Sequence, residues 1–313
     1  MANQNMKTGI VLALVCLCIL SVMPVISNSR PAGFSALSFA FYLSVWQVVF
    51  AAPPFVLELW SGRRGIFSVS LTPGQTGRSI GVALGTGVMF GLSTFLYVLG
   101  VEKAGAGNAA IAMQAYPMFA ILWETLFLKR RKTPVELGFT MLLMAALYYL
   151  ATGGSLRIEG ISAWFLVSLG VPLLWSIAHV IIKEELGRMP ISPLQVTFFR
   201  VVISAAFLAA ALALAEPSGF ASGVGDTGFQ GFAMLMGMVY YLELVVWFYA
   251  VRQIDVSFAS SITTPWPAFT MILAAVVLRE EIALHQVVAF AVVALSIYGL
   301  TLTGLRKSSR LPA

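Results

Sequence analysis

The sequence predicts an all-α polytopic membrane protein, with ten transmembrane helices arranged as two inverted five-helix repeats and both termini cytoplasmic. Three observations carry this. The 313 residues are 59% hydrophobic and only 10% charged, with a mean hydropathy of +0.90. Soluble domains carry about 45–50% apolar and about 25% charged residues, so a water-soluble globule is excluded. The apolar residues also form continuous runs of about the 20 residues that cross a bilayer core as a helix, unlike the short alternating segments of a β-barrel. Finally, the second half of the chain echoes the first at a fixed offset.

Taken in order, the apolar spans cover residues 8–27, 34–59, 79–99, 108–128, 135–152, 161–182, 191–215, 231–250, 257–278 and 285–304. The first follows Lys7 but is longer than the apolar core of a signal peptide and lacks a small-x-small cleavage site, so it reads as a retained helix. Turn and charge clusters such as Ser61-Gly62-Arg63-Arg64-Gly65 and Lys129-Arg130-Arg131-Lys132 separate later spans. With the N-terminus inside, the inner segments hold 14 of the 19 basic residues and the outer loops only Arg30, Lys103, Arg157 and Arg279. That asymmetry follows the positive-inside rule and puts both termini in the cytoplasm of a cell in whose inner or plasma membrane the chain resides. The excess of 19 Lys+Arg over 13 Asp+Glu therefore orients helices and gives no sign of nucleic-acid binding. Cys16 and Cys18, two apart on one helix, point to different sides and cannot bond to each other.

A slide of 150 residues lays 109–154 on 259–304 without a gap. Pro117 meets Pro267, Phe119 meets Phe269, Leu128 meets Leu278, and Tyr148 meets Tyr298. Residues 1–155 and 156–313 thus read as two five-helix repeats. An odd number of spans per repeat means the second enters the membrane from the opposite side. Repeats inverted in this way are typical of secondary transporters, which hold solute where the repeats meet.

In the second half, Ser260-Ser261-Ile262-Thr263-Thr264-Pro265-Trp266-Pro267 is followed by Leu278-Arg279-Glu280-Glu281 and His285-Gln286. This resembles the signature of the EamA branch of the drug/metabolite transporter superfamily: a Pro-containing helix, a leucine-x-glutamate loop and a further helix. Tyr116-Pro117 and Glu136-Leu137-Gly138 resemble it in the first half, which departs at Lys129-Arg130-Arg131. The resemblance implies a ten-helix exporter of amino acids or other small metabolites, similar to the YddG-type exporters of aromatic and neutral amino acids. It also implies a solute chamber among spans one, three, four, six, eight and nine.

Ionisable residues inside membrane helices are costly and need a reason. Glu243 lies well inside span eight and shares a face with Met236, Tyr240 and Trp247. In the 150-residue register that stripe matches Thr86, Phe90, Ser93 and Tyr97 on span three. Two stripes of aromatic and small polar residues suit a planar or amphipathic solute. Glu243 reads as binding a substrate amine or carrying a coupling proton; the ordinary alternative is a carboxylate paired with Arg200 or a helix dipole. Arg200, inside span seven, reads first as a structural or gating partner and second as a substrate-carboxylate ligand. His179 reads as interfacial more than as lining the pathway, although Trp175 one turn earlier shares its face. Glu58 and Glu124, near cytoplasmic span ends, read as snorkelled or paired with basic neighbours.

Spans four and nine carry Gln114-Ala115-Tyr116-Pro117 and Thr263-Thr264-Pro265-Trp266-Pro267. Proline removes a backbone donor and frees carbonyls one turn earlier, which in lipid need protein or water partners. Gln114 and Thr264, equivalent in the repeat, can satisfy those carbonyls or touch solute. Pro117, Pro267, Pro24 and Pro172 are candidate flex points for gating. On span three, Gly81-x-x-x-Gly85 and Gly87-x-x-x-Gly91 read as close helix packing and not as a dimer motif.

An intramembrane Ser protease is the rival class, through Gly91-Leu92-Ser93-Thr94 and a histidine base, but four residues carry little information. No Walker A sequence is present, so ATP-driven pumping has no support. A single intramembrane arginine is too little for a phosphate-bearing solute. A neutral, zwitterionic or cationic solute fits better, including a lipophilic cation handled by multidrug efflux. The expected partners are a small-molecule substrate, the lipid bilayer and a coupling proton. No cofactor, metal, enzymatic activity or nucleic acid is expected, and the chain reads as a monomer or weak dimer.

Overall fold

The computed structural model describes residues 2–62, 64–116, 118–119, 122–123, 133–254, 259 and 262–308. These residues form eleven α-helices and no strand. They are α1 (Ala2–Asn28), α2 (Ala36–Trp60), α3 (Pro73–Ala104), α4 (Ala106–Met113), α5 (Pro134–Ala151) and α6 (Ala163–Arg188). The rest are α7 (Pro193–Ala215), α8 (Ser218–Gly225), α9 (Thr227–Gln253), α10 (Trp266–Val277) and α11 (Leu284–Ser308). Eight of them, α1, α2, α3, α5, α6, α7, α9 and α11, are long and apolar enough to cross a membrane.

Local sequence sets the helix starts. Thr133-Pro134 and Ser192-Pro193 open α5 and α7 with capping boxes closed by Glu136 and Gln195. In each, the hydroxyl accepts from the third helical N–H, the longer side chain accepts in return, and the proline occupies a position that needs no donor. Ser35 caps α2 in the same way, accepting from Ser38 N at 3.1 Å. Between α3 and α4 the chain turns on Gly105 at φ +84°, a conformation that a side chain resists.

Spans four and nine are not continuous helices. α4 stops at Met113, and Gln114 and Ala115 form turns whose N–H groups donate to Ile111 and Ala112. In the second half, Thr264 and Pro265 form the turn before α10. The breaks fall 150 residues apart, where the prolines predict them. At 1.5 Å per residue α4 is about 12 Å long and α10 about 18 Å, and neither alone crosses a bilayer core of about 30 Å. Helix α8, in the connection after α7, has no counterpart in the ten apolar spans.

The chain divides into two compact bodies, with α3, α6 and α9 each contributing residues to both. The first comprises Met1–Asn28, Gly100–Ser176 and Val246–Ala313, the second Ser29–Leu99 and Ile177–Val245. Each draws on both halves of the chain. In the first body α11 packs on α5 and α10 on α1 and α4, around Ile111, Leu143, Leu147, Phe165, Met271 and Val293. A Cβ on Gly154, beyond the end of α5, would meet His285 at the start of α11, and one on Gly299 would meet Phe139. α5 and α11 are therefore antiparallel.

In the second body α2 packs along α7, with Phe55 stacked on Phe198 at 4.1 Å. Their ends are tied reciprocally. Ser35, which caps α2, donates to Glu216 at the end of α7; Ser192, which caps α7, donates to Glu58 near the end of α2 at 2.6 Å. The pair is antiparallel, and each carboxylate sits at the positive N-terminal end of its neighbour. Glu58 thus accepts from a serine 134 residues away, because the antiparallel packing brings a helix start to it.

Candidate functional site

In the second body, four helices bring one polar and aromatic cluster together. The turns of α3 place Phe90 and Tyr97 on one face, and α9 supplies Tyr240 one turn before Glu243. The Tyr97 and Tyr240 ring centroids are 6.3 Å apart, so α3 and α9 bring these two rings together. From α7, Arg200 lays its guanidinium over the Phe90 ring at 3.5 Å from the centroid and lies 5.8 Å from that of Tyr240. His179 of α6 approaches the same Phe90 ring, with centroids 5.5 Å apart. Arg200, Tyr97 and Tyr240 are 3%, 2% and 1% exposed. Glu243 is half-buried, and its charge acts on Arg200, Tyr97 and Tyr240 alike.

Arg200 can reach Phe90 because α3 and α7 approach closely. A Cβ on Gly87 would lie 2.5 Å from the Ile203 side chain, and one on Gly91 would lie 2.8 Å from Phe207 and 3.2 Å from the Ser204 carbonyl. Ser204 fixes the crossing by donating to Gly87 O at 2.8 Å. Gly81 and Gly85 have nothing within 4 Å of the same position. Only the second of the two predicted glycine pairs is a packing device, because only there does α7 cross α3.

The hydrogen bonds of the cluster are incomplete. Arg200 Nε and Nη1 and the hydroxyls of Tyr97 and Tyr240 are buried with no hydrogen-bond partner among the described residues. The Tyr240 hydroxyl lies close to both Thr94 and Arg200. Thr94 Oγ1 is directed to Phe90 O at 2.8 Å, and Ser93 Oγ donates to the same carbonyl at 3.0 Å. Buried polar groups in folded proteins are nearly always paired, and an unpaired donor costs about 1–3 kcal/mol. A guanidinium over an aromatic face recovers part of this through its attraction to the ring.

The other expected residues fall elsewhere. Gln114, Thr264, Trp175, Trp247, Pro24, Pro172 and Pro267 belong to the first body; Gln114, Thr264, Pro24, Pro172 and Pro267 are buried there, and Trp175 and Trp247 half-buried. Pro117, Glu124 and Lys129-Arg130-Arg131-Lys132 lie outside the described residues. Sequence reasoning missed Thr94 beside Tyr240. It also missed Gln47, buried on α2 with Nε2 unpaired among the described residues, whose backbone N lies 3.1 Å from a Cβ built on Gly237 of α9. A mid-span amide is the signal that could have found Gln47; Thr94 had none beyond adjacency to Ser93.

Glu280 is the other carboxylate with a defined environment. The N–H of Glu280 donates to Ala274 O across Arg279, which is left-handed at φ +57°, turning the chain back at the end of α10. The turn aims the side chain at the start of α4, where it accepts from Ala106 N at 3.1 Å, Gly107 N at 3.5 Å and Asn28 Nδ2 at 3.2 Å. Its role is structural: it caps α4 and ties the end of α1 to it.

The chain matches the EamA-like transporter family over residues 7–152 and again over 162–302. The chain belongs to that family. The EamA match covers nearly all of the sequence in two consecutive copies, and it makes the protein a multi-pass membrane transporter of small substrates. No curated protein matches it. A solved structure titled "Crystal structure of protein" aligns with 95% of this EamA chain and 98% of its own, with a TM-score of 0.64 at 15% identity. At that identity the likeness speaks for the fold alone.

Proposed function

We propose that this EamA protein exports small metabolites, foremost neutral and aromatic amino acids, by alternating access. Two oppositely inserted repeats, residues 1–155 and 156–313, enclose a solute chamber near mid-membrane. The reading takes ten spans in all, with α4 and α10 each forming part of an interrupted span, and both termini cytoplasmic in the cell membrane. The antiparallel pairs α2/α7 and α5/α11 support it, because each joins helices in matching places of the two repeats. Inverted repeats have that relation.

The single observation that carries the functional reading is the buried cluster of Arg200, Phe90, Tyr97 and Tyr240 within the field of Glu243. It offers aromatic faces, hydrogen-bond donors and one carboxylate, which together suit a small amphipathic zwitterion. Glu243 receives the substrate amine or carries a coupling proton. Export of lipophilic cations is the second reading, favoured by that carboxylate among aromatic rings. Intramembrane proteolysis is disfavoured because Ser93 Oγ donates to its own helix at Phe90 O.

The test is counterflow into proteoliposomes with amino acids, sugars and quaternary amines, each with and without a pH gradient. Amino-acid flux driven by the gradient and abolished in Glu243→Gln supports the coupled exporter. Equal flux through Glu243→Gln at every gradient overturns the coupling role, and flux of quaternary amines alone replaces the amino-acid reading with the second one.

A further inference from the structure

We infer that Arg200, with the hydroxyls of Tyr97 and Tyr240, forms a carboxylate-binding site, so that the solute must carry a single-charge carboxylate head. The inference rests on the transport reading above and names the substrate class of that same site.

Three side chains that are each more than nine-tenths buried present donors with no hydrogen-bond partner among the described residues: Nε and Nη1 of one guanidinium and two phenolic hydroxyls. They come from three helices, α7, α3 and α9, with the guanidinium carbon 5.8 Å and the Tyr97 ring centroid 6.3 Å from the centroid of the Tyr240 ring. The guanidinium carbon lies 3.5 Å from the Phe90 ring centroid, a contact that holds the charged group against the ring face. A guanidinium edge matches the two oxygens of a carboxylate, and flanking hydroxyls can complete the remaining lone pairs. A structural arginine in such a place ordinarily has its donors satisfied by carbonyls or carboxylates, because the cost of leaving them bare is high.

Charge selects among anions. One cation balances one carboxylate, while the field of Glu243 acts on Arg200 and on both tyrosines. A dianionic phosphate is repelled more strongly by that carboxylate than a monoanion is, and a zwitterion adds an amine to meet it. This assigns Arg200 to the substrate, the lesser of its two sequence-based readings.

The experiment compares phenylalanine, phenylalanine amide and phenethylamine in proteoliposome uptake by the wild-type protein, Tyr97→Phe, Tyr240→Phe and Arg200→Gln. The tyrosine variants keep the ring and delete only the hydroxyl, so their folding is preserved where that of Arg200→Gln fails. The expected result is wild-type selectivity for phenylalanine, with KM raised about tenfold in either tyrosine variant, as loss of a bond to a charged group predicts, and the amide and amine little changed. Wild-type protein that carries the amide and amine as well as the acid overturns the carboxylate site and leaves the transport reading intact. An unchanged KM for the acid in both tyrosine variants also overturns it. Wild-type protein that moves none of the three, while carrying quaternary amines, overturns both the site and the amino-acid reading.

Discussion

Among the described residues, the two bodies differ in how their long polar side chains are bonded. In the first, long polar side chains are bonded in pairs and triads: Glu280 to Asn28 and the start of α4, Gln286 to Asn108 at 2.9 Å, Trp123 to Ser176 at 2.9 Å, and Thr270 to Ser21 O at 2.8 Å. In the second, Arg200, Tyr97, Tyr240, Ser44 and Gln47 all leave donors unpaired among the described residues. Both bodies are built from helices of both halves, so composition does not explain the contrast. A satisfied network rigidifies, while an unsatisfied one stores binding capacity at a cost in stability. The first body reads as scaffold and the second as the place where solute is handled.

The comparison can be broken or sharpened by substitution, with stability read as thermal unfolding in detergent. The largest expected loss is in the first body. Glu280→Ala strips three donors of their acceptor and should destabilise by roughly 3 kcal/mol, the upper range for a bond to a charged group. A loss below about 0.5 kcal/mol would deny the scaffold role. Next, Gly87→Ala and Gly91→Ala should each cost about 1–3 kcal/mol by overpacking against α7. Gly81→Ala and Gly85→Ala should raise stability by up to about 1 kcal/mol through helix propensity. The same sign at all four positions would contradict the close crossing.

Smaller still, Ser192→Ala and Ser35→Ala should each cost about 1 kcal/mol as lost caps. Combining Ser192→Ala with Glu58→Gln should cost less than the sum of the two, because they share one bond. The smallest effect is in the second body. Tyr97→Phe and Tyr240→Phe should leave stability unchanged or slightly higher, since they remove hydroxyls without partners. A clear loss there would show those hydroxyls to be bonded, and the contrast between the bodies would disappear.

Much of this was legible in the sequence, for identifiable reasons. Composition alone dictates helices, and a proline 150 residues from another marks where both interrupted spans break. That Phe90 and Tyr97 share one face of α3, and Tyr240 and Glu243 one face of α9, follows from 3.6-residue periodicity. Periodicity says nothing about which helix lies opposite. Arg200 could be flagged as costly in a membrane, but its place over Phe90 depends on α7 crossing α3 at Gly87 and Gly91. The reciprocal ties of Ser35 with Glu216 and of Ser192 with Glu58, and the reach of Glu280 to α4, join residues more than 100 positions apart. No local pattern encodes such pairs.

The central claim is that the second body's cluster faces solute and not lipid or packed protein. Ser93→Cys tests it most directly, in a chain with Cys16→Ser and Cys18→Ser, using a membrane-impermeant thiol reagent on sealed vesicles. Gln75→Cys, on the exposed start of α3, serves as the reactive control. The account predicts that Ser93→Cys reacts and that saturating solute slows the reaction. A thiol at position 93 that stays unreactive while position 75 is labelled, or one whose labelling ignores solute, would contradict it.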